Sequence, residues 1–70
     1  METNNFEIAL RIREIRGFYR TQKEFAKLLG VSQATVSKLE KGLVLPSSEV
    51  LLRLSEISKK SVDWILKGDQ

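Results

Sequence analysis

The chain has 70 residues, of which 41% are hydrophobic and 30% are charged, a composition typical of one small folded domain and unlike that of a disordered segment. Twelve Lys and Arg residues against nine Asp and Glu residues give a formal net charge of +3, a mildly basic balance that is compatible with a nucleic-acid partner but not diagnostic of one. The sequence contains no Cys and no His, which excludes disulfides and thiolate metal sites and removes the side chains that most often activate a catalytic serine.

The first predicted helix begins after Asn4, which has the spacing of a capping box with Glu7. Apolar residues then recur at helical spacing on one face, and Gly17 lies near the expected end of the helix. The residues of this apolar face are Ile8, Ile12 and Ile15.

A second capping box, formed by Thr21 and Glu24, predicts the start of the second helix. Gly30 is expected to end this helix, because Gly tolerates the left-handed conformation that follows a helix. The apolar residues predicted to face the core are Phe25, Ala26, Leu28 and Leu29.

Ser32 is predicted to cap a third helix that carries Val36 and Leu39 on its inner face and ends at Gly42. Pro46, followed by serine, predicts the start of a fourth helix. Its core-facing residues are expected to be Leu51, Leu54 and Ile57.

A short fifth helix is predicted to begin after Ser61 and to end at Gly68, with Val62, Ile65 and Leu66 available for the core. We interpret Ser47, Ser48 and Ser61 as helix caps and not as nucleophiles. No stretch alternates with the period of two residues that a strand requires, so we expect an all-α fold of five helices without a sheet.

The short break between the second and third predicted helices has a specific meaning. Two helices joined by a tight turn with Gly form a helix-turn-helix, whose second helix enters a DNA major groove about 12 Å wide. The motif requires a small residue where the helices touch, a Gly at the turn and apolar anchors on the second helix. Ala26 is the small residue, Gly30 is the glycine of the turn, and Val36 and Leu39 are the apolar anchors, so all of these requirements are met.

The stretch TQKEFAKLLGVSQATVSKLEKG, residues 21–42, resembles the helix-turn-helix DNA-binding domains of the phage repressor and Cro type. RIREIR at 11–16 is similar to the first helix of that family, LPSSEVLLRLSEI at 45–57 to its fourth helix and SVDWILKGD at 61–69 to its closing helix. The resemblance implies a compact five-helix bundle of the lambda-repressor-like type, with the helix-turn-helix formed by helices 2 and 3.

The same resemblance implies roles for individual residues. The predicted DNA-binding residues are Thr21, Gln22, Ser32, Gln33, Ala34, Thr35, Ser37, Lys38 and Lys41. Among them, Gln33, Ala34 and Lys38 match base-facing positions, and Gln22, Ser32, Thr35 and Lys41 match positions that face DNA phosphates. The chemistry agrees, because Gln can pair with an adenine edge, Lys favours guanine acceptors, and Ala can meet a thymine methyl.

Arg16 and Glu40 match a pair that, in the family, forms a partly buried ion pair between the first and third helices. The segment after Arg16 is one residue shorter than usual, and Tyr19 stands where Gly is often found, so a tighter first turn is expected. The first helix and this segment also carry four arginines: either Arg11, Arg13, Arg16 and Arg20 form a basic patch, or Arg11, Arg13 and Arg20 belong to an ordinary charged face.

The loop Leu43-Val44-Leu45 is apolar where that family often carries polar or basic residues. Three consecutive apolar loop residues need burial or a partner. Either all three fold onto the core, or some of them contact a second subunit together with the last helix near Trp64. We interpret Trp64 as a core or dimer-packing residue and not as a ligand-binding residue.

Three functions follow from these features. The first is a sequence-specific transcriptional regulator, expected to repress, that binds a palindromic operator in double-stranded DNA as a homodimer. The second is the DNA-binding part of a larger system: an antitoxin, a restriction-modification controller or the amino-terminal domain of a longer repressor. The third is a protein-interaction module, which would carry acidic or apolar residues on the exposed face of 32–41, where Gln33, Thr35 and Lys38 stand instead.

We expect one domain over residues 1–70, located in the cytoplasm, because the sequence has no secretory signal and no apolar run of ~20 residues that could span a membrane. No enzymatic activity, cofactor, metal or small-molecule ligand is expected, because a bundle of this size offers little cleft and the chain lacks His and Cys.

Overall fold

A computed structural model of the protein describes residues 5–68, and these residues form five α-helices and no strand. In chain order the helices are α1 (Asn5–Arg16), α2 (Gln22–Leu29), α3 (Gln33–Glu40), α4 (Ser48–Ser58) and α5 (Val62–Lys67). The prediction of an all-α, five-helix fold is therefore confirmed. The predicted cap at Asn4 lies outside the described residues.

The starts of the later helices are set by side chains that satisfy their otherwise unpaired backbone N–H groups. A hydroxyl accepts the N–H three residues further on at Thr21, Ser32, Ser47 and Ser61. At Thr21 the capping box is reciprocal, because the Thr21 N–H also donates to Glu24 Oε1 at 2.9 Å. Ser48 was expected to be a cap, but it is the first residue of α4, and Ser47 caps that helix alone.

One hydrophobic core joins all five helices. Its buried members are Ile8, Ala9, Ile12, Phe25, Ala26, Leu29, Val36, Leu39, Val50, Leu54 and Ile65. The inward orientation predicted for Leu28 is wrong, since this side chain is 46% exposed. Phe25, Ala26 and Leu29 already fill the stripe that α2 turns to the core, and Leu28 falls outside it.

Arg11 fastens α1 to the end of α5. Its Nε donates to the Ile65 carbonyl at 2.7 Å, and its Nη2 donates to the Leu66 carbonyl at 3.0 Å. The last carbonyls of a helix lack partners within the helix, so a guanidinium there satisfies them and favours the negative end of the helix dipole. Within residues 5–68, no helix combines the length and the apolar character needed to cross a membrane.

Candidate nucleic-acid interface

Helix α3 turns one face to the core and the other outward. Val36 and Leu39 are completely buried on the inner face. Gln33, Ala34 and Lys38, the predicted base-facing residues, are all exposed on the outer face. This arrangement presents the three side chains together, as docking of a recognition helix requires.

The turn between α2 and α3 depends on Gly30. This residue has φ 74°, and its N–H donates to the Lys27 carbonyl at 3.3 Å, while the Val31 N–H donates to the Ala26 carbonyl at 3.0 Å. A side chain would strain the left-handed conformation at this point. Ala26 is buried in the core cluster together with Val36, so α2 braces α3 from behind.

The start of α3 holds two of the predicted phosphate-facing hydroxyls. Ser32 Oγ accepts the Thr35 N–H at 3.1 Å, and the two hydroxyl oxygens lie 3.0 Å apart. Ser32 is exposed and Thr35 half-buried, so both can still accept or donate outward. The other predicted residues lie around them, with Thr21 and Lys41 exposed and Gln22 and Ser37 half-buried.

The predicted ion pair between α1 and α3 is confirmed. Arg16 Nε donates to Glu40 Oε2 at 2.7 Å, and Arg16 Nη2 donates to Glu40 Oε1 at 3.1 Å. Glu40 is only 6% exposed and receives a further hydrogen bond at 3.0 Å from Nε2 of Gln22. The contact from Gln22 was not anticipated, because the sequence predicts that α2 packs against α3 but does not fix which side chains of the two helices meet.

Hydrogen bonds from two arginine side chains to backbone carbonyls hold the short segment between α1 and α2. Arg16 Nη1 donates to the Arg20 carbonyl at 2.9 Å, and Arg20 Nη1 donates to the Ile15 carbonyl at 3.2 Å. The Tyr19 ring lies beside Gly17, where a Cβ would come within 2.7 Å of Tyr19 Cε1. Gly17 also has φ 71°, so both its backbone conformation and its contact with the Tyr19 ring favour glycine at this turn.

The four arginines do not form a uniform basic patch. Arg11 binds α5, Arg16 binds Glu40, and Arg20 lies over the Tyr19 ring at 4.9 Å from its centroid. Arg13 is exposed, and among residues 5–68 it has no ion-pair partner. It is the member of the group whose charge is open to an external ligand.

The apolar loop at residues 43–45 does not fold onto the core. Leu43, Val44 and Leu45 are 68%, 39% and 56% exposed, which excludes the first of the two alternatives considered for them. Gly42, just before the loop, adjoins the backbone of Asn5 at the start of α1.

Trp64 lies away from the loop at 43–45. It packs half-buried against the core, with Lys60 Nζ 5.0 Å from its ring centroid, and it shares a hollow with Ile15 near the end of α1. The loop therefore begins beside the start of α1, whereas Trp64 lies near the end of this helix.

Nothing in the described part of the chain resembles a metal centre, since residues 5–68 contain no group of three His, Cys, Asp or Glu side chains placed to hold an ion. What the geometry defines is a helix-turn-helix domain: an eight-residue α3 with an exposed polar face, an α2 that crosses behind it, and a glycine turn between them.

The chain belongs to the helix-turn-helix family HTH_3, whose model matches residues 12–65. It is 41% identical over 71 aligned positions to the HTH-type transcriptional regulator DicA of Escherichia coli strain K12. That alignment covers the whole of this chain and 53% of DicA, so the chain spans about half the length of this relative.

Two solved structures show how closely the fold agrees. The P22 c2 repressor, crystallised in complex with a synthetic operator, is 36% identical and superposes with a TM-score of 0.80 over 89% of this chain and 96% of the repressor chain. The restriction-modification controller protein C.AhdI from Aeromonas hydrophila shares the fold at 22% identity, with a TM-score of 0.74 over 89% of this chain and 96% of its own. The resemblance to repressor-type helix-turn-helix domains is confirmed.

Proposed function

We propose that the chain is a sequence-specific regulator of transcription, acting as a repressor, that places α3 in the major groove of double-stranded DNA. The main support for this proposal is the outer face of α3, which presents Gln33, Ala34 and Lys38 and no carboxylate. The only acidic residue of the helix, Glu40, is buried and paired with Arg16. An outer face with this charge attracts phosphates and offers donors to base edges. Membership of the family and the likeness to a repressor bound to its operator support the proposal.

Within this site we assign base readout to Gln33, Ala34 and Lys38. Gln33 can form two hydrogen bonds with an adenine edge, Lys38 can donate to guanine O6 and N7, and the Ala34 methyl can contact a thymine methyl. The residues assigned to DNA phosphates are Thr21, Gln22, Ser32, Thr35, Ser37 and Lys41, which surround the base-reading face.

We further propose that the protein binds DNA as a homodimer. Two α3 helices held one helical turn apart, about 34 Å, would read a palindrome with the combined affinity of two half-sites. The exposed loop Leu43-Val44-Leu45 offers an apolar surface for the contact between subunits. The predicted part of Trp64 in this contact stays a separate prediction, because Trp64 lies at the other end of α1.

A second candidate is the DNA-binding part of a larger regulator, antitoxin or controller. It is favoured by the length of DicA, of which this chain spans about half. Both candidates bind DNA in the cytoplasm and neither is an enzyme: Ser47 and Ser61 serve as caps, and no His stands ready to activate them.

The direct test is a gel-shift experiment with duplex DNA over a range of salt concentrations. A groove-binding protein that neutralises several phosphates loses affinity steeply as salt rises. Affinity that is absent, or that does not change with salt, would contradict the proposal and favour the third hypothesis, a protein-interaction module.

A further inference from the structure

An open hollow of about 320 Å³ lies at the surface where α1, α2 and α3 meet. It is lined by Arg13, Arg16, Gln22, Ser37, Glu40 and Lys41. Three of these residues, Gln22, Ser37 and Lys41, are already assigned to DNA phosphates in the proposed function. The hollow is therefore continuous with the proposed DNA-facing surface, and it reaches from there onto α1.

The side chains that line the hollow carry a net positive charge, which favours binding of an anion. Arg16 and Glu40 cancel each other at 2.7 Å on its floor. The two remaining cations, Arg13 and Lys41, are exposed and have no ion-pair partner among residues 5–68. A concave site with two such cations and a neutralised floor attracts negative charge.

The amide of Gln22 is held in one orientation beside these cations. A carboxylate paired with a guanidinium only accepts hydrogen bonds, so the Gln22 atom 3.0 Å from Glu40 Oε1 must be the amino nitrogen. That nitrogen carries two hydrogens, and only one of them is directed to Glu40. The second is available to an acceptor in the hollow, and the hydroxyl of Ser37 adds a further donor from α3.

We propose that this hollow binds one phosphate group of the DNA backbone, with Arg13 and Lys41 as the charged contacts and with Gln22 and Ser37 as neutral donors. The proposal rests on the proposed function and extends it beyond the helix-turn-helix, because Arg13 belongs to α1. Arg16 and Glu40 act as positioning residues: they orient Gln22 and leave the charge of the hollow to Arg13 and Lys41. A guanidinium binds phosphate oxygens with well-oriented donors, which suits Arg13 to this role.

The test compares Arg13→Gln with Lys27→Gln, a control that removes the same charge from an exposed residue of α2 outside the hollow. Affinity for a random-sequence duplex of about 20 base pairs, two helical turns, is measured by fluorescence anisotropy at several salt concentrations. The slope of log K against log salt is negative, and loss of one phosphate contact reduces its magnitude by about 0.9. We expect that decrease for Arg13→Gln and a much smaller one for Lys27→Gln, with Arg13→Lys recovering most of the slope.

An NMR titration separates DNA from a free anion as the source of the phosphate. We expect the Arg13 Nε–H resonance of the unsubstituted chain to shift on addition of the duplex and to stay in place with inorganic phosphate at the same concentration. Saturation of the hollow by inorganic phosphate at that concentration would overturn the assignment to DNA. Equal salt slopes for Arg13→Gln and Lys27→Gln would overturn the hollow alone, whereas failure of the unsubstituted chain to bind any duplex would overturn the proposed function as well.

Discussion

Three side-chain hydrogen bonds converge on the buried carboxylate of Glu40, two from Arg16 and one from Gln22. This single residue of α3 thereby joins the end of α1 to the start of α2. Removing its charge would leave the Arg16 guanidinium, 23% exposed, without its counter-ion. Breaking one side of a buried pair costs more than the intact pair contributes, because the remaining charge is poorly solvated.

Glu40→Gln is accordingly expected to lower the free energy of unfolding by about 2–4 kcal/mol, somewhat less than a fully buried pair because Arg16 retains contact with water. The matched control is Glu56→Gln, which neutralises an exposed carboxylate and should change stability by less than about 0.5 kcal/mol. Urea denaturation followed by circular dichroism measures both. Equal midpoints for the two variants would show that the pair contributes nothing in solution.

A second prediction at this scale separates base readers from phosphate contacts. Gln33→Ala should cost roughly 1–3 kcal/mol on the preferred site and relax the preference at one base position. Lys41→Ala should weaken all duplexes alike and reduce the salt slope by about one. Binding constants on the preferred duplex and on its single-base variants distinguish the two. A uniform loss on every sequence for both variants would refute the assignment of Gln33.

At the scale of single helices, local signals predicted several of the boundaries, including both ends of α2. The capping box at Thr21 and Glu24, and the glycine after α2, are interactions within a few residues, so their spacing can be recognised in the sequence. The contact of Arg11 with α5 joins residues far apart in the sequence, and the hydrogen bond from Gln22 to Glu40 depends on the exact fit of α2 against α3, so neither could be predicted. The exposure of Leu28 has the same origin, because the width of the buried stripe on α2 is set by its neighbours.

The end of α4 differs from the ends of α2 and α5 in a way that can be tested. Gly30 and Gly68 occupy left-handed positions after their helices, but the corresponding residue after α4 is Lys59, with φ 62°. A side chain in this conformation costs roughly 1 kcal/mol, which Gly avoids.

Lys59→Gly is therefore expected to raise the free energy of unfolding by up to about 1 kcal/mol, measured by urea denaturation. Lys60→Gly is the control: Lys60 does not have positive φ and its Nζ lies over the Trp64 ring, so Gly there should give no gain. A loss of stability in Lys59→Gly would mean that the Lys side chain makes compensating contacts.

At the scale of the whole molecule, the apolar loop at 43–45 is the surface proposed for contact with a second subunit. The sequence showed that these residues need a partner or burial, but the choice between the two depended on how much inner surface the packed helices leave. The structure leaves all three exposed. We propose that a second copy of the chain packs against this loop, and such a dimer would align two α3 helices for two half-sites.

Val44→Lys tests this arrangement. The long stem of Lys can reach water from a half-open site, so the monomer should stay folded by circular dichroism. Cooperative binding to a duplex with two half-sites should be lost, whereas binding to a single half-site should persist. Leu52→Lys, an equal change at an exposed residue of α4, should leave cooperativity intact. Unfolding of Val44→Lys would show that the loop is part of the core after all.

The proposal that α3 reads a specific two-fold DNA sequence is tested by selecting bound duplexes from a random library with the unsubstituted chain and with the double variant Gln33→Ala, Lys38→Ala. We predict a palindrome with half-sites about 10 base pairs apart, centre to centre, for the unsubstituted chain. The double variant should lose that preference while still binding DNA through its phosphate contacts. Selection of no common sequence by the unsubstituted chain, or of the same palindrome by both proteins, would contradict the claim.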